Sequence, residues 1–243
     1  MSRLTALAQE LTDILQLRYA PVGVTLYREG QPLPPGLPLT TENFKSYCQA
    51  LVVAGQGRTL LLAKEQMGCK LGASVLGFET DAAKEAHLDD GVLEKYGVGL
   101  FASEEASAAT IRESFYLEPG AQAAHIAPLA TFQAAPQVVA FTANSEQVMW
   151  LLYAINYDQG GRMDLPQSGG ALGGCADITV WPMMQGQANV TFLGLGCRIK
   201  TALDPCHLML GMPGHLVMAL HAHILAMAKP IAMLAKARNP QGS

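Results

Sequence analysis

Charge is scarce in this chain. Of its 243 residues only 15% are Asp, Glu, Lys or Arg, against about 25% in an ordinary soluble domain. The 16 basic and 20 acidic residues leave a net charge of −4, and no Lys/Arg cluster occurs anywhere. The electrostatic footprint of a nucleic-acid binder is therefore missing, and nucleic acid is not expected as a partner. Catalytic signatures are missing too. There is no C-x-x-C pair, no G-x-G-x-x-G, no P-loop lysine, no H-E-x-x-H and no Ser-His-Asp elbow, so hydrolase and dinucleotide chemistry have no motif to rest on. Long apolar runs are likewise absent. The stretch from Leu216 to Met233 is broken by His221, His223, Lys229 and Pro230, and a spanning helix needs roughly 20 predominantly apolar residues. The opening residues, Met1 to Ala6, do not have the basic-then-apolar layout of a signal peptide. The expectation is a cytoplasmic protein with no membrane partner.

Apolar material is plentiful by contrast, at half of all residues. A chain of this length can bury a large core as a single domain over residues 1–243. The low charge also leaves room for buried subunit contacts, and a homo-oligomer is expected.

Leu4, Leu7, Leu11 and Ile14 recur at helical spacing and predict a helix over about 4–17. Val22 to Tyr27 reads as a buried strand after Pro21. A Pro-rich loop follows, and Thr41 is placed as the cap of a helix running to about Ala54. Val138 to Thr142 is the clearest strand. Asn144 then caps a helix to about Ile155, with Gln147 completing a capping box. Alternation of strands and helices predicts an α/β fold, a mixed sheet with flanking helices.

The order of these elements recurs. Pro21-Val22-Gly23-Val24 matches Pro136-Gln137-Val138-Val139, and Gly55-Gln56-Gly57-Arg58 matches Gln159-Gly160-Gly161-Arg162. The reading is a pair of related halves, 21–77 and 136–197, packed as one unit. In that reading Arg58 and Arg162 sit in equivalent turns. Each is a candidate for binding an anionic group of a cofactor through its planar guanidinium fork, with an ordinary surface arginine as the alternative.

Five cysteines, Cys48, Cys69, Cys175, Cys197 and Cys206, make an odd count. In a reducing compartment that argues against a disulfide framework. Thiolates are soft ligands for iron–sulfur clusters. Met67-Gly68-Cys69, Gly173-Gly174-Cys175 and Gly194-Leu195-Gly196-Cys197 place glycines beside three of them, where backbone N–H groups can turn towards cluster sulfurs. Free cysteine is also among the commonest buried residues, so the spacing leaves core thiols open as the other reading.

The combined set is more specific than any one motif. Pro21-Val22-Gly23-Val24, Tyr47-Cys48-Gln49-Ala50, Met67-Gly68-Cys69-Lys70-Leu71-Gly72, Gly174-Cys175-Ala176 and Gly196-Cys197-Arg198 through Leu210-Gly211-Met212-Pro213 resemble, in this order, the family known as domain of unknown function 169. The resemblance runs from about Leu7 to Leu225. It implies that Cys48, Cys69, Cys175 and Cys197 are motif positions and Cys206 is not. That family is common in archaea and anaerobic bacteria, which implies oxygen-sensitive redox chemistry. The expectation is an iron–sulfur or metal-binding protein, with those four cysteines holding a 4Fe–4S cluster and a redox partner protein receiving its electrons. The alternatives are a cluster-free small-molecule-binding protein or enzyme with its site at the Gly-Arg turns, and an accessory subunit whose cysteines are structural.

Overall fold

The computed structural model describes residues 2–90, 92–168 and 170–238. Its strands are β1 (Val22–Arg28), β2 (Leu60–Leu62), β3 (Ala121–Pro128), β4 (Val138–Asn144), β5 (Asn189–Thr191) and β6 (His207–Pro213). They form one six-stranded sheet in the order β2-β3-β1-β4-β6-β5. Every pairing within it is antiparallel. The architecture is α/β, a sheet with flanking helices, as the alternation of elements predicts, with the sheet wholly antiparallel where a mixed one is expected.

Period-2 patterning sorts the strand residues to two faces. Val22, Val24 and Leu26 of β1, with Val138 and Ala140 of β4, pack with α2 (Tyr47–Gly55) and a π-helix (Gly173–Val180) on one side. Val139, Phe141 and Ala143 pack on the other side with α1 (Arg3–Leu15), α6 (Ser145–Ile155) and α9 (Val217–Ala226). Both faces are therefore covered. α6 begins with the expected capping box: the Gln147 N–H donates to Asn144 Oδ1 at 2.9 Å, and the Asn144 N–H donates to Gln147 Oε1 at 2.8 Å.

The sheet order reads the same from both edges once β4, β5 and β6 are written for β1, β2 and β3. The register repeats as well. Val22 pairs with Pro128 and Val138 with Pro213. Leu60 pairs with Ile126 and Asn189 with Gly211, in each case two residues before the proline. At the centre Val22 faces Ala140 and Val24 faces Val138, as a local two-fold axis through the Gly23–Val139 pair would place them. The matching units extend past 21–77 and 136–197 to take in β3 and β6.

This topology sets the correspondence between cysteines. Cys48 lies on the helix before β2, and Cys175 on the π-helix that leads through α7 (Trp181–Gln185) to β5. Cys69 is the N-cap of α3 (Lys70–Val75), after β2, and Cys197 lies in α8 (Leu195–Thr201), after β5. Cys48 thus matches Cys175, and Cys69 matches Cys197. Arg58 and Arg162 are not equivalent. The first joins α2 to β2, the second follows α6. Counting from the Gly-Arg turns misaligned the halves, because α6 occupies the place of the Pro-rich loop.

Among the described residues no single helix is long and apolar enough to cross a membrane. The segments 214–226 and 228–237 pass that test only as a pair bent by 57°.

Candidate functional site

All four motif cysteines line one cavity of about 150 Å³ on the α2 side of the sheet. Each is positioned by a different element. Ser46 rather than Thr41 caps α2, its Oγ accepting from the Gln49 N–H at 3.2 Å. The chain before it is held out of the helix by Phe44, whose N–H donates to Gln66 O and whose carbonyl accepts from the Gly68 N–H. Cys48 therefore falls in the first turn of α2, facing inward and buried. Cys69 Sγ accepts from the Gly72 N–H at 3.4 Å as the cap of α3. Cys175 enters on the π-helix, whose eight residues are all buried. Such widened helices recur at functional sites.

The sulfurs meet across the two units. Cys48 Sγ donates to Cys197 Sγ at 2.9 Å, linking residues 149 positions apart. Gly174 makes that approach possible, since a methyl in its place would overlap Cys48 Sγ. Cys175 and Cys69 hold the counterpart positions, and after burial Cys69 is the largest influence raising the Cys175 pKa. The close pair takes one thiol from each unit.

The environment separates the two partners of the close pair. The Cys48 thiol is pushed well up, by its hydrogen bond to Cys197 first and then by burial. Cys197 is lowered, first by that same hydrogen bond and further by the Lys200 ammonium and the N–H groups of Gly174 and Gly194. Cys197 is the more acidic thiol of the pair and Cys48 its hydrogen-bond donor. Tyr47 also lines the cavity; burial raises its phenol strongly, and it shares a 3.1 Å hydrogen bond with Thr179.

As a donor set, four convergent thiols fit a soft metal or an iron–sulfur cluster. The spacing fits less directly. Among the described residues no group of three or more His, Cys, Asp or Glu side chains is already arranged as a metal-ion site. Thiolates around one tetrahedral ion stand about 3.8 Å apart, given metal–sulfur bonds of about 2.3 Å, so Cys48 and Cys197 at 2.9 Å must part to share a ligand.

The remaining candidates lie elsewhere. Cys206 is exposed beside His207, its Sγ 3.7 Å from Nδ1. Arg58 is on the surface in a 2.7 Å ion pair with Glu42, and Arg162 is exposed. Neither arginine lines the cysteine cavity. Sequence reasoning passed over Lys200 and Asp177. Lys200 follows Cys197 by three residues on α8, the spacing that puts two side chains on one helix face. Asp177 is the lone carboxylate in the apolar run 173–180 and is buried, which pushes it up to about 6.

The close pair carries a direct test. Diamide should convert Cys48 and Cys197 to a disulfide, the two thiols giving up two electrons and two protons to the diazene, which becomes a hydrazine. A peptide map under non-reducing conditions should show the 48–197 link as the major internal product, while Cys206 alkylates first in the native protein. Oxidised protein without that link would contradict the geometry.

A family model described as uncharacterised ArCR, domain of unknown function 169, matches residues 10–222. Comparison with curated proteins returns no match, and neither does comparison with solved structures.

Proposed function

We propose that this chain, which belongs to the uncharacterised ArCR family, is an iron–sulfur or metal-binding protein with a redox or cofactor-handling role. Cys48, Cys69, Cys175 and Cys197 are the ligands in this reading. One observation carries it: four thiols from four elements, spread over 149 positions, line a single cavity. Core thiols chosen only for packing have no reason to converge, since each could sit in its own apolar pocket.

When bound, a cluster would supply one-electron chemistry. The chain's own contributions are separable from it. Lys200 offsets negative charge at the cavity edge. The N–H groups of Gly72, Gly174 and Gly194 point towards cysteine sulfur, and such hydrogen bonds tune a cluster's potential. Tyr47, Leu71 and Leu172 supply apolar walls. Free thiols of this kind suit a reducing compartment such as the cytoplasm. The reading also calls for a partner protein to exchange electrons.

The 2.9 Å Cys48–Cys197 contact supports a second reading, a cluster-free dithiol that cycles with a disulfide. One experiment separates the two. Protein purified without oxygen, or reconstituted with ferrous iron and sulfide, should be brown and contain iron and acid-labile sulfide. Serine at position 48, 69, 175 or 197 should remove the colour, and Cys206→Ser should keep it. Colourless, iron-free protein after both treatments would refute the cluster and leave the dithiol.

A further inference from the structure

The sheet face away from the cysteines is closed differently in the two units. The register matches Val22 with Val138 and Pro128 with Pro213, so Thr25, Tyr27 and His125 stand where Phe141, Ala143 and Leu210 stand in the second unit. Those three are fully buried in the core beneath α6. The first unit has only the Pro-rich loop in the place of that helix. A cavity of about 590 Å³ lies there. It is bounded by Thr25, Tyr27 and His125 of the sheet, by Pro34, Pro35 and Leu37 of the loop, and by the segment 131–135.

Its walls are fixed by the fold. Gly23 lets the Phe132 ring lie on β1, since a methyl in its place would overlap that ring. His125 stacks on Phe132 with the ring centroids 4.6 Å apart and the planes at 25°. The loop is tied down at both ends: the Gln31 N–H donates to the Arg28 carbonyl at 3.0 Å, and the Thr40 N–H to the Leu61 carbonyl at 2.8 Å. Pro32, Pro34, Pro35 and Pro38 fix φ along it. The volume is within the roughly 300–1,000 Å³ of small-molecule sites.

The lining chemistry selects the occupant. It contains no Asp, Glu, Lys or Arg, so a charged ligand would lose hydration with no opposite charge in return. Burial lowers the His125 pKa, which leaves its imidazole neutral at pH 7, with one nitrogen a donor and the other an acceptor. His125, Tyr27 and Thr25 are all half-buried, and among the described residues their side chains make no hydrogen bond. Their polar atoms are open to a ligand. The stacked rings offer a flat apolar wall, which suits another aromatic ring.

We propose that this cavity binds an uncharged, flat aromatic molecule of one or two rings, packed against the His125–Phe132 stack, with a hydroxyl or ring N–H donating to the unprotonated His125 nitrogen. The site lies across the sheet from the cysteines and does not depend on what they hold.

Calorimetric titration with 2-naphthol tests it, with 2-naphthoate as the charged match and decahydro-2-naphthol as the puckered one. 2-Naphthol should bind, and each of the other two at least about tenfold more weakly. His125→Leu introduces the residue type that the second unit carries at Leu210, which suits the sheet. It should weaken 2-naphthol by about tenfold or more, and its thermal midpoint reports whether it is folded. In the unaltered protein, nuclear Overhauser contacts from the naphthol protons to the His125 and Phe132 rings should locate the ligand without any variant. Absence of 2-naphthol binding would overturn the proposal. So would either control matching 2-naphthol, undiminished binding by folded His125→Leu, or Overhauser contacts confined to residues outside the cavity.

Discussion

Gly211→Ala should destabilise the protein by about 3 kcal/mol or more in urea unfolding. Gly211 sits in β6 between β4 and β5, paired with Ala140 and Asn189. A methyl on it would overlap the carbonyl of Ile178 in the π-helix, which is backbone and has no rotamer to escape into. The helix would have to lift off the sheet, and Cys175 and Asp177 would move with it. Gly196→Ala is the control. Gly196 lies in α8 with open space where its Cβ would go, and Ala is favoured over Gly in a helix by roughly 0.5–1 kcal/mol. That variant should be unchanged or slightly more stable. Equal effects at the two positions would mean that the π-helix does not rest on β6 as described.

Gly174→Ala should act on the site more than on the fold. Its methyl would meet the sulfur of Cys48, a side-chain atom that can swing aside, so the stability cost should be about 1–3 kcal/mol. The swing breaks the 2.9 Å contact with Cys197. The 48–197 disulfide should then form at least tenfold more slowly with diamide, since exchange needs the sulfurs in line. If the cysteines hold a cluster, iron retained after anaerobic gel filtration should fall in the same variant, because a displaced ligand no longer closes the set. Crosslinking at the unaltered rate in folded Gly174→Ala would show that this glycine does not set the approach of the sulfurs.

What was legible in the sequence is what short-range physics controls. Short apolar runs marked β1 and β4, helical spacing marked α1, and Asn144 with Gln147 announced the start of α6, because strand, helical turn and cap each involve residues within a few positions of one another. The four cysteines could be singled out by their Gly-flanked turns and by family resemblance, but spacing said nothing of whether they meet. Local signals also misled where two were on offer. Thr41 and Ser46 are both good caps, and only the pairing of Phe44 with Gln66 and Gly68 selects the second.

The tertiary structure decided the rest, because it depends on pairings between distant segments. The order β2-β3-β1-β4-β6-β5 follows from two three-stranded units meeting along β1 and β4, and no local pattern specifies an antiparallel partner more than a hundred residues away. That meeting matches Cys48 with Cys175 and Cys69 with Cys197, separates Arg58 from Arg162, and gathers four scattered thiols, two from each unit, around one cavity. It also buries Asp177 in the wall of a second cavity. By itself the sequence determined β1, β4, α1, α6 and the identity of the reactive side chains, while β6, the π-helix and α8 escaped it. Which of those side chains stand together was settled by long-range strand pairing, whose register places residues far apart in the chain within bonding distance.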